Sequence, residues 1–201
     1  MKLALLSDIH ANLGALQACL EHAREHGADQ FALLGDLVGY GAEPVPTLER
    51  VMELAHAGAI VLQGNHDAMA AFPPNEVKAM GESSALWTHA QLSLEQKRFL
   101  VGLPMTAQID DILMVHASAD GPGQWRYVED ERSAGASLDA AVALESCVRY
   151  VFGGHVHRQT LYYRSTGRGL MSFNPTPGVA VPTPRHRHWI ATVGSVGQPR
   201  D

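Results

Sequence analysis

Three short apolar runs punctuate the N-terminal part of the chain: Lys2–Leu6, Gln30–Leu34 and Ala59–Leu62. Two amphipathic stretches lie between them. From about Asn12 to His26, the residues Leu13, Leu16, Leu20 and Ala23 fall on one helical stripe and Gly27 follows as a C-cap; Pro46–Ala57 reads as a second helix. A β-α-β-α-β alternation implies parallel strands, because each crossover returns the chain to the same end of the sheet. Sheets of this kind bind ligands beyond the carboxyl ends of their strands. The residues just after each apolar run are therefore the ones to inspect.

Further along, Asn75–Leu103 has helical character, with Ser93 and Gln96 spaced as a capping box. Beyond Pro104, shorter strands are expected at Ile112–Val115, Tyr150–Phe152, Leu161–Tyr163 and Trp189–Val193, separated by Gly and Pro turns. Residues Thr166–Arg187, rich in Gly, Pro and Arg, read as a long hairpin or surface excursion. No internal repeat or linker divides the chain, so one domain over residues 1–201, containing two sheets, is the expectation.

Composition removes several function classes. The 201 residues are long enough to bury a core. With 46% hydrophobic but only 6% aromatic residues, that core must rest on Leu, Val, Ala and Ile. A formal charge of -6 argues against broad nucleic-acid binding, which needs a basic surface. Cys19 and Cys147 share no disulfide spacing and are expected as buried free thiols. The opening run is too short for a signal h-region, and no apolar stretch approaches a membrane span. A cytoplasmic protein without a membrane partner is expected.

The chemistry follows the strands. After the first comes Ser7-Asp8-Ile9-His10, after the second Gly35-Asp36-Leu37-Val38-Gly39, and after the third Gly64-Asn65-His66-Asp67. The strand at Ile112–Val115 ends in His116, and that at Tyr150–Phe152 ends in Gly153-Gly154-His155-Val156-His157. Five strands are thus expected to deliver Asp, His, Asp, Asn, His, His and His to one sheet edge, with glycines where the backbone must turn or approach a ligand. Each element alone is a weak signal, since Asp-x-His and Gly-Asp occur often by chance. Their conjunction, in order and each at a strand end, is not. Oxygen and imidazole donors without a thiolate suit Mn, Fe, Ni, Zn or Mg rather than a structural Cys site. Seven donors exceed one ion and suit two that share a carboxylate. Such a pair can ionise a bridging water and clamp phosphoryl oxygens.

This series, Asp8-x-His10, Gly35-Asp36, Gly64-Asn65-His66-Asp67, His116 and Gly154-His155-x-His157, resembles the signature of the calcineurin-like metallophosphoesterase superfamily, and within it the small prokaryotic phosphodiesterase-like branch. The resemblance spans essentially the whole chain. It implies a four-layer αββα sandwich of two mixed sheets flanked by helices. It implies two divalent metal ions, Mn foremost, with Asp8, His10, Asp36 and His157 on the first. Asp36 would bridge to the second, which Asn65, His116 and His155 complete. His66 would stabilise charge on the phosphate or protonate the leaving oxygen, and Asp67 would orient the His66 ring. The implied activity is hydrolysis of a small phosphodiester or phosphomonoester by a metal-bridging hydroxide. A non-catalytic scaffold of the same fold and a nuclease are the rival readings; the complete donor set opposes the first and the acidity opposes the second.

Departures narrow the substrate. Protein phosphatases and symmetrical dinucleoside tetraphosphatases of the superfamily carry an Arg where this chain has Tyr40. Relatives sharing the Gly194-Ser195-Val196-Gly197-Gln198-Pro199-Arg200-Asp201 ending usually continue for a further strand or two, so the expectation is either a sequence trimmed at this end or a second sheet without its last strands. Asn12 reads as the N-cap of the first helix in preference to a phosphate contact. Arg158 and Arg200 are candidates for substrate phosphate, against the ordinary reading as surface cations. Trp125 and Tyr127 could stack on a base or aromatic leaving group, or simply pack their loop. His22, His26, His56, His89, His186 and His188 are expected to be solvated, and Arg185–His188 to form a solvated hairpin rather than a basic patch.

Overall fold

A computed structural model describes residues 2–164 and 169–200. Of the expected excursion, Thr166, Gly167 and Arg168 lie outside the described residues, as does Asp201. In chain order the elements are β1 (Leu3–Leu6), α1 (Leu13–Glu25), β2 (Gln30–Leu33), α2 (Pro44–His56), β3 (Ile60–Val61), α3 (Asn65–Ala71), α4 (Met80–Gln91), α5 (Leu94–Gly102), β4 (Thr106–Ile109), β5 (Ile112–Val115), α6 (Glu131–Leu144), β6 (Tyr150–Gly153), β7 (Gln159–Arg164), β8 (Leu170–Phe173) and β9 (Trp189–Val193). A 3₁₀ turn at Pro122–Gln124 precedes α6.

Two sheets result. The first is parallel, in the order β1-β2-β3; the second is mixed, in the order β4-β5-β6-β9-β7-β8. In the second sheet β5, β6 and β9 run parallel, while β4, β7 and β8 pair antiparallel to their neighbours. The strand alternation explains the stacking, because successive side chains point to opposite faces. In and just after β2, Leu33 faces a core shared with Leu16 and Leu20 of α1 and Leu48 and Val51 of α2, while Ala32 and Leu34 face the other sheet. In β5, Leu113 and Val115 face Ala134, Leu138 and Ala141 of α6, while Met114 turns inward to meet Ala32, Leu34 and Leu62. The layers are helices, sheet, sheet, helix, as the sandwich expectation requires. Runs buried on both faces are why the strands read as continuously apolar.

Local chemistry sets most boundaries. Asn12 caps α1, its Oδ1 accepting from the Ala15 amide at 3.0 Å, and Gly27 leaves that helix at φ 76°. Ser93 and Gln96 close a reciprocal box at the start of α5, the two bonds measuring 3.2 and 2.9 Å. Helix α2 begins at Pro44 rather than Pro46, since a proline in the first turn forfeits no intrahelical bond.

Several expectations need correction. The block Asn75–Leu103 is two helices, broken at Leu92–Ser93, and residues before Met80 are non-helical beside Pro73 and Pro74. Strand β4 and helices α3 and α6 lie outside the expected elements, while β8 falls within the expected excursion and pairs antiparallel with β7. Cys147 is exposed and Cys19 half-buried, so neither is a fully buried thiol. His22, His26, His56 and His186 are exposed as expected, but His188 is half-buried, and half-buried His89 has its Nδ1 2.7 Å from the Ala70 carbonyl. None of the described helices is long and apolar enough to cross a membrane.

Candidate metal centre

The donor-bearing turns converge, but not at one sheet edge. Asp8, His10, Asp36, Asn65 and His66 leave the carboxyl ends of β1, β2 and β3, whereas His116, His155 and His157 leave those of β5 and β6 in the second sheet. The site lies where the ends of the two sheets meet. A segment from the end of β9 closes it: Val196 and Gly197 amides donate to the Ser7 and Asp8 carbonyls at 2.9 Å each, and Ser195 Oγ donates to the Asp8 carbonyl at 2.8 Å.

Ligand-type atoms of Asp8, His10, Asp36 and His157 lie within 4.8 Å of one another, as do those of Asp36, His116 and His155. Asp36 belongs to both groups. Its Oδ2 stands 3.3 Å from His116 Nε2 and 3.9 Å from His10 Nε2, while its Oδ1 accepts from the His66 amide at 2.8 Å. Asp8 Oδ1 is 3.1 Å from His157 Nε2. Asn65 Oδ1 joins the second group, 3.2 Å from His116 Nε2. The seven expected donors are thus brought together.

The histidine geometry favours cations. Nδ1 of His10, His116 and His157 faces the carbonyls of Val38, Leu34 and Gln198 at 3.3, 2.8 and 2.6 Å. A proton placed on Nδ1 leaves Nε2 as a lone pair aimed at the centre, which is how metal-binding histidines are oriented. Two such lone pairs, on His10 and His157, meet at 3.0 Å. Neutral imidazoles gain nothing from that contact unless a cation lies near both. His155 Nε2 is buried with no hydrogen-bond partner, an orphan whose burial costs free energy until it finds one. All the donors are oxygen or imidazole nitrogen, a set that fits hard or borderline divalent ions.

Electrostatics point the same way. Burial pushes the His10 and His155 pKa values down to about 4 against the pull of Asp36 and Asp8, so both rings are neutral donors. Burial would raise the Asp36 pKa, but the His116 charge and hydrogen bond hold the carboxyl well below the usual range. His116 shows the converse: burial lowers its pKa, and the Asp36 carboxylate overrides this and lifts it to about 9. A divalent ion would take the place of that proton.

The backbone is strained here. Asp8, His10, Asp36, His155 and His157 all have φ between 50° and 68°. Left-handed conformations in non-glycine residues cluster where geometry is over-determined by the surroundings. Close approaches demand glycine at two neighbours. A Cβ at Gly154 would collide with Ser7 Oγ and Asp8 Oδ2, and one at Gly64 with the Asp36 carboxylate and amide.

His66 and Asp67 are held in different ways. His66 lies beside the first group, its ring 5.1 Å from that of His10 and 4.4 Å from that of Tyr40, with Nδ1 buried and without a partner. Among the described residues no hydrogen bond joins Asp67 to that ring. Its carboxylate accepts from the amides of Leu37, Val38 and Gly64 at 2.9, 3.2 and 2.9 Å, tying the turn after β2 to the start of α3. Adjacent residues on a helix point about 100° apart, which is why the Asp67 side chain turns away from its neighbour. Sequence reading missed the carbonyls of Leu34, Val38 and Gln198 that set the histidine tautomers; backbone acceptors carry no side-chain signature.

Tyr40 stands at φ 61° over His10, ring centroids 4.9 Å apart. Burial raises its pKa, against the charge and hydrogen bond of Arg200. Arg200 thus reaches the mouth of the site, and Arg158 Nε donates to its carbonyl at 3.2 Å.

Comparison with known proteins agrees with this geometry. A model of the calcineurin-like phosphoesterase superfamily domain matches residues 1–201. An uncharacterised protein of Methanocaldococcus jannaschii is 26% identical over 208 residues, covering 99% of this chain and 77% of its own. Phosphodiesterase YfcE of Escherichia coli strain K12 is 36% identical over 76 residues, which cover 34% of this chain and 41% of that protein. A metallophosphoesterase from Sphaerobacter thermophilus has a similar structure, with a TM-score of 0.80 and 31% identity over 100% of this chain and 79% of that one. With sandwich, donor series and domain match in agreement over its length, the chain belongs to the calcineurin-like phosphoesterase superfamily, in its small prokaryotic branch.

Proposed function

We propose that this chain is a dinuclear, metal-dependent phosphoesterase acting on a small phosphodiester or phosphomonoester. The observation that carries the reading is the sharing of Asp36 by two buried donor groups. Asp8, His10, Asp36 and His157 would hold one ion; Asp36, Asn65, His116 and His155 would hold the other. When bound, the ions supply the Lewis acidity that activates a water and neutralises phosphoryl oxygens, for which Mn is the first candidate and Fe, Ni, Zn or Mg the alternatives.

The chain's own groups do the rest. The carbonyls of Leu34, Val38 and Gln198 hold the histidine tautomers. His66 is our choice for stabilising charge on the phosphoryl oxygen or protonating the leaving oxygen, supported by its unbonded imidazole beside His10. Arg200, held at the Tyr40 hydroxyl, is our candidate for gripping the substrate phosphate. The partial match to YfcE, a phosphodiesterase by name, favours the diester. The charge of -6 disfavours nucleic acid as substrate. We take residues 1–201 to act as one domain, supported by ligands drawn from both sheets, and place the protein in the cytoplasm.

The test is hydrolysis of bis-p-nitrophenyl phosphate and p-nitrophenyl phosphate by metal-stripped protein with Mn, Ni, Mg or Zn restored, alongside metal content. Metal-restored cleavage of the diester supports the reading; folded protein that binds two ions yet cleaves neither ester would sink it.

A further inference from the structure

A cavity of about 520 Å³ opens beside the second donor group, lined by Asn65, His155 and a set of apolar and aromatic side chains that includes Met69, Phe72, Trp125 and Tyr127. Helix α3 builds one wall, because Asn65, Met69 and Phe72 recur at i, i+4 and i+7 and so share a face. The opposite wall comes from the loop that follows His116. There Trp125, at φ 52°, sits edge-on to His116 at 5.9 Å, and Tyr127 stacks on His155 at 4.1 Å with 28° between the rings.

Phe72 is 73% and Tyr127 49% exposed, so aromatic faces stand in water next to the buried donor cluster. Rings left open beside a polar site mark a place for a ligand more than a packing solution. The far side of the centre is different: a smaller cavity of about 230 Å³ there is lined by His10, Asn12, Tyr40, Glu43 and Gln198. Among the described residues no Lys or Arg lines the aromatic cavity, so they give a phosphate no counter-charge within it. A flat apolar substituent does have partners.

We propose that this cavity seats an aryl or heterocyclic substituent of the phosphate ester, stacked against Tyr127 and Phe72 with Trp125 as its back wall. The proposal rests on the phosphoesterase reading above and deepens it to a substrate class: esters carrying one planar aromatic group on the Asn65–His155 side and a polar or small group on the other. Planarity is the distinguishing demand, since ring-on-ring contact rewards aromatic over aliphatic groups of equal size.

Equilibrium binding tests it without turnover. Mn-loaded full chain carrying His66→Ala, which holds hydrolysis down, would be titrated calorimetrically with inorganic phosphate and with methyl, cyclohexyl and phenyl phosphate. Phenyl phosphate is expected to bind at least about tenfold tighter than methyl phosphate, and tighter than cyclohexyl phosphate, the margin typical of a base on an aromatic platform. In Phe72→Ala, a change at an exposed site that leaves the core intact, and in Tyr127→Ala, the phenyl-to-methyl ratio should fall towards one. Quenching of Trp125 fluorescence by 1-naphthyl phosphate, lost in Trp125→Phe, gives a second readout. Equal affinity for the methyl and phenyl esters, an aryl preference that survives both alanine variants, or no binding of any ester overturns the proposal. Metal-dependent hydrolysis with no aryl preference would remove the cavity proposal and leave the phosphoesterase reading standing. Aryl-selective binding without hydrolysis would do the reverse.

Discussion

The two sheets are assembled by different rules. In the first, sequence neighbours are spatial neighbours: β1, β2 and β3 lie side by side, each joined to the next by one helix. In the second, β9 is inserted between β6 and β7, and β5 pairs with β6 across the whole of α6. Asp8, His10, Asp36 and Asn65 therefore come from a region in which local pattern settles position, whereas His116, His155 and His157 arrive through pairings distant in sequence. The centre forms only where the two meet. Neither sheet alone carries the full donor set.

That contrast can be broken at several points. The largest effect should follow Asp36→Ala, which removes the carboxylate common to both groups. Metal content should drop from two ions towards none, and hydrolysis should fall by at least ~10³-fold, measured by elemental analysis and ester cleavage. On the role proposed for His66, His66→Ala should lower the rate by ~10²–10⁴ while both ions remain bound, because that role is toward substrate rather than metal. If metal is lost as well, the role given to His66 is wrong.

Met114→Ala opens the seam between the sheets, where Met114 packs on Ala32, Leu34 and Leu62. It should cost about 2–5 kcal/mol by denaturant titration and weaken binding of the second ion more than the first, since β5 carries His116. Equal loss of both ions would mean that the sheets do not position their ligands separately. The smallest effect is expected from Ser195→Ala, which loses the bond to the Asp8 carbonyl and the one that Ser195 Oγ accepts from the Gln198 amide at 2.9 Å. Affinity for the first ion should fall about tenfold, as calorimetry would show, with stability changing by about 1 kcal/mol.

How far the molecule could be read in advance follows the same division. The parallel strands, α1 and its Asn12 cap were legible because a hydrophobic stripe and a cap are local. Helix α6 was not. Its buried face is Ala134, Ser137, Leu138 and Ala141, at helical spacing but built from small residues that carry little hydrophobic signal. The clue that could have found it is Asp130, whose Oδ1 accepts from the Ser133 amide at 2.7 Å to cap the helix. Strand β4 was overlooked because Thr106–Ile109 lacks a bounded apolar run, and only its pairing with β5 across a turn at Asp110 makes it a strand. The donor residues were legible by type and order. What Asp67 does was not, because it depends on three amides of which two are about thirty residues away.

The left-handed backbone at five of the seven donors has a bearing on where this protein can change. Each such residue carries a conformational cost of about 1–2 kcal/mol whether or not a ligand is bound. Shifting any of these turns by one residue would swing a donor out of the centre. At the other end of the sheets the turns at Gly27 and Gly58 have open space where a side chain would begin. Insertions and deletions should therefore accumulate at that end among descendants of this chain, and the loops carrying the donors should keep a fixed length even as the residues around them drift.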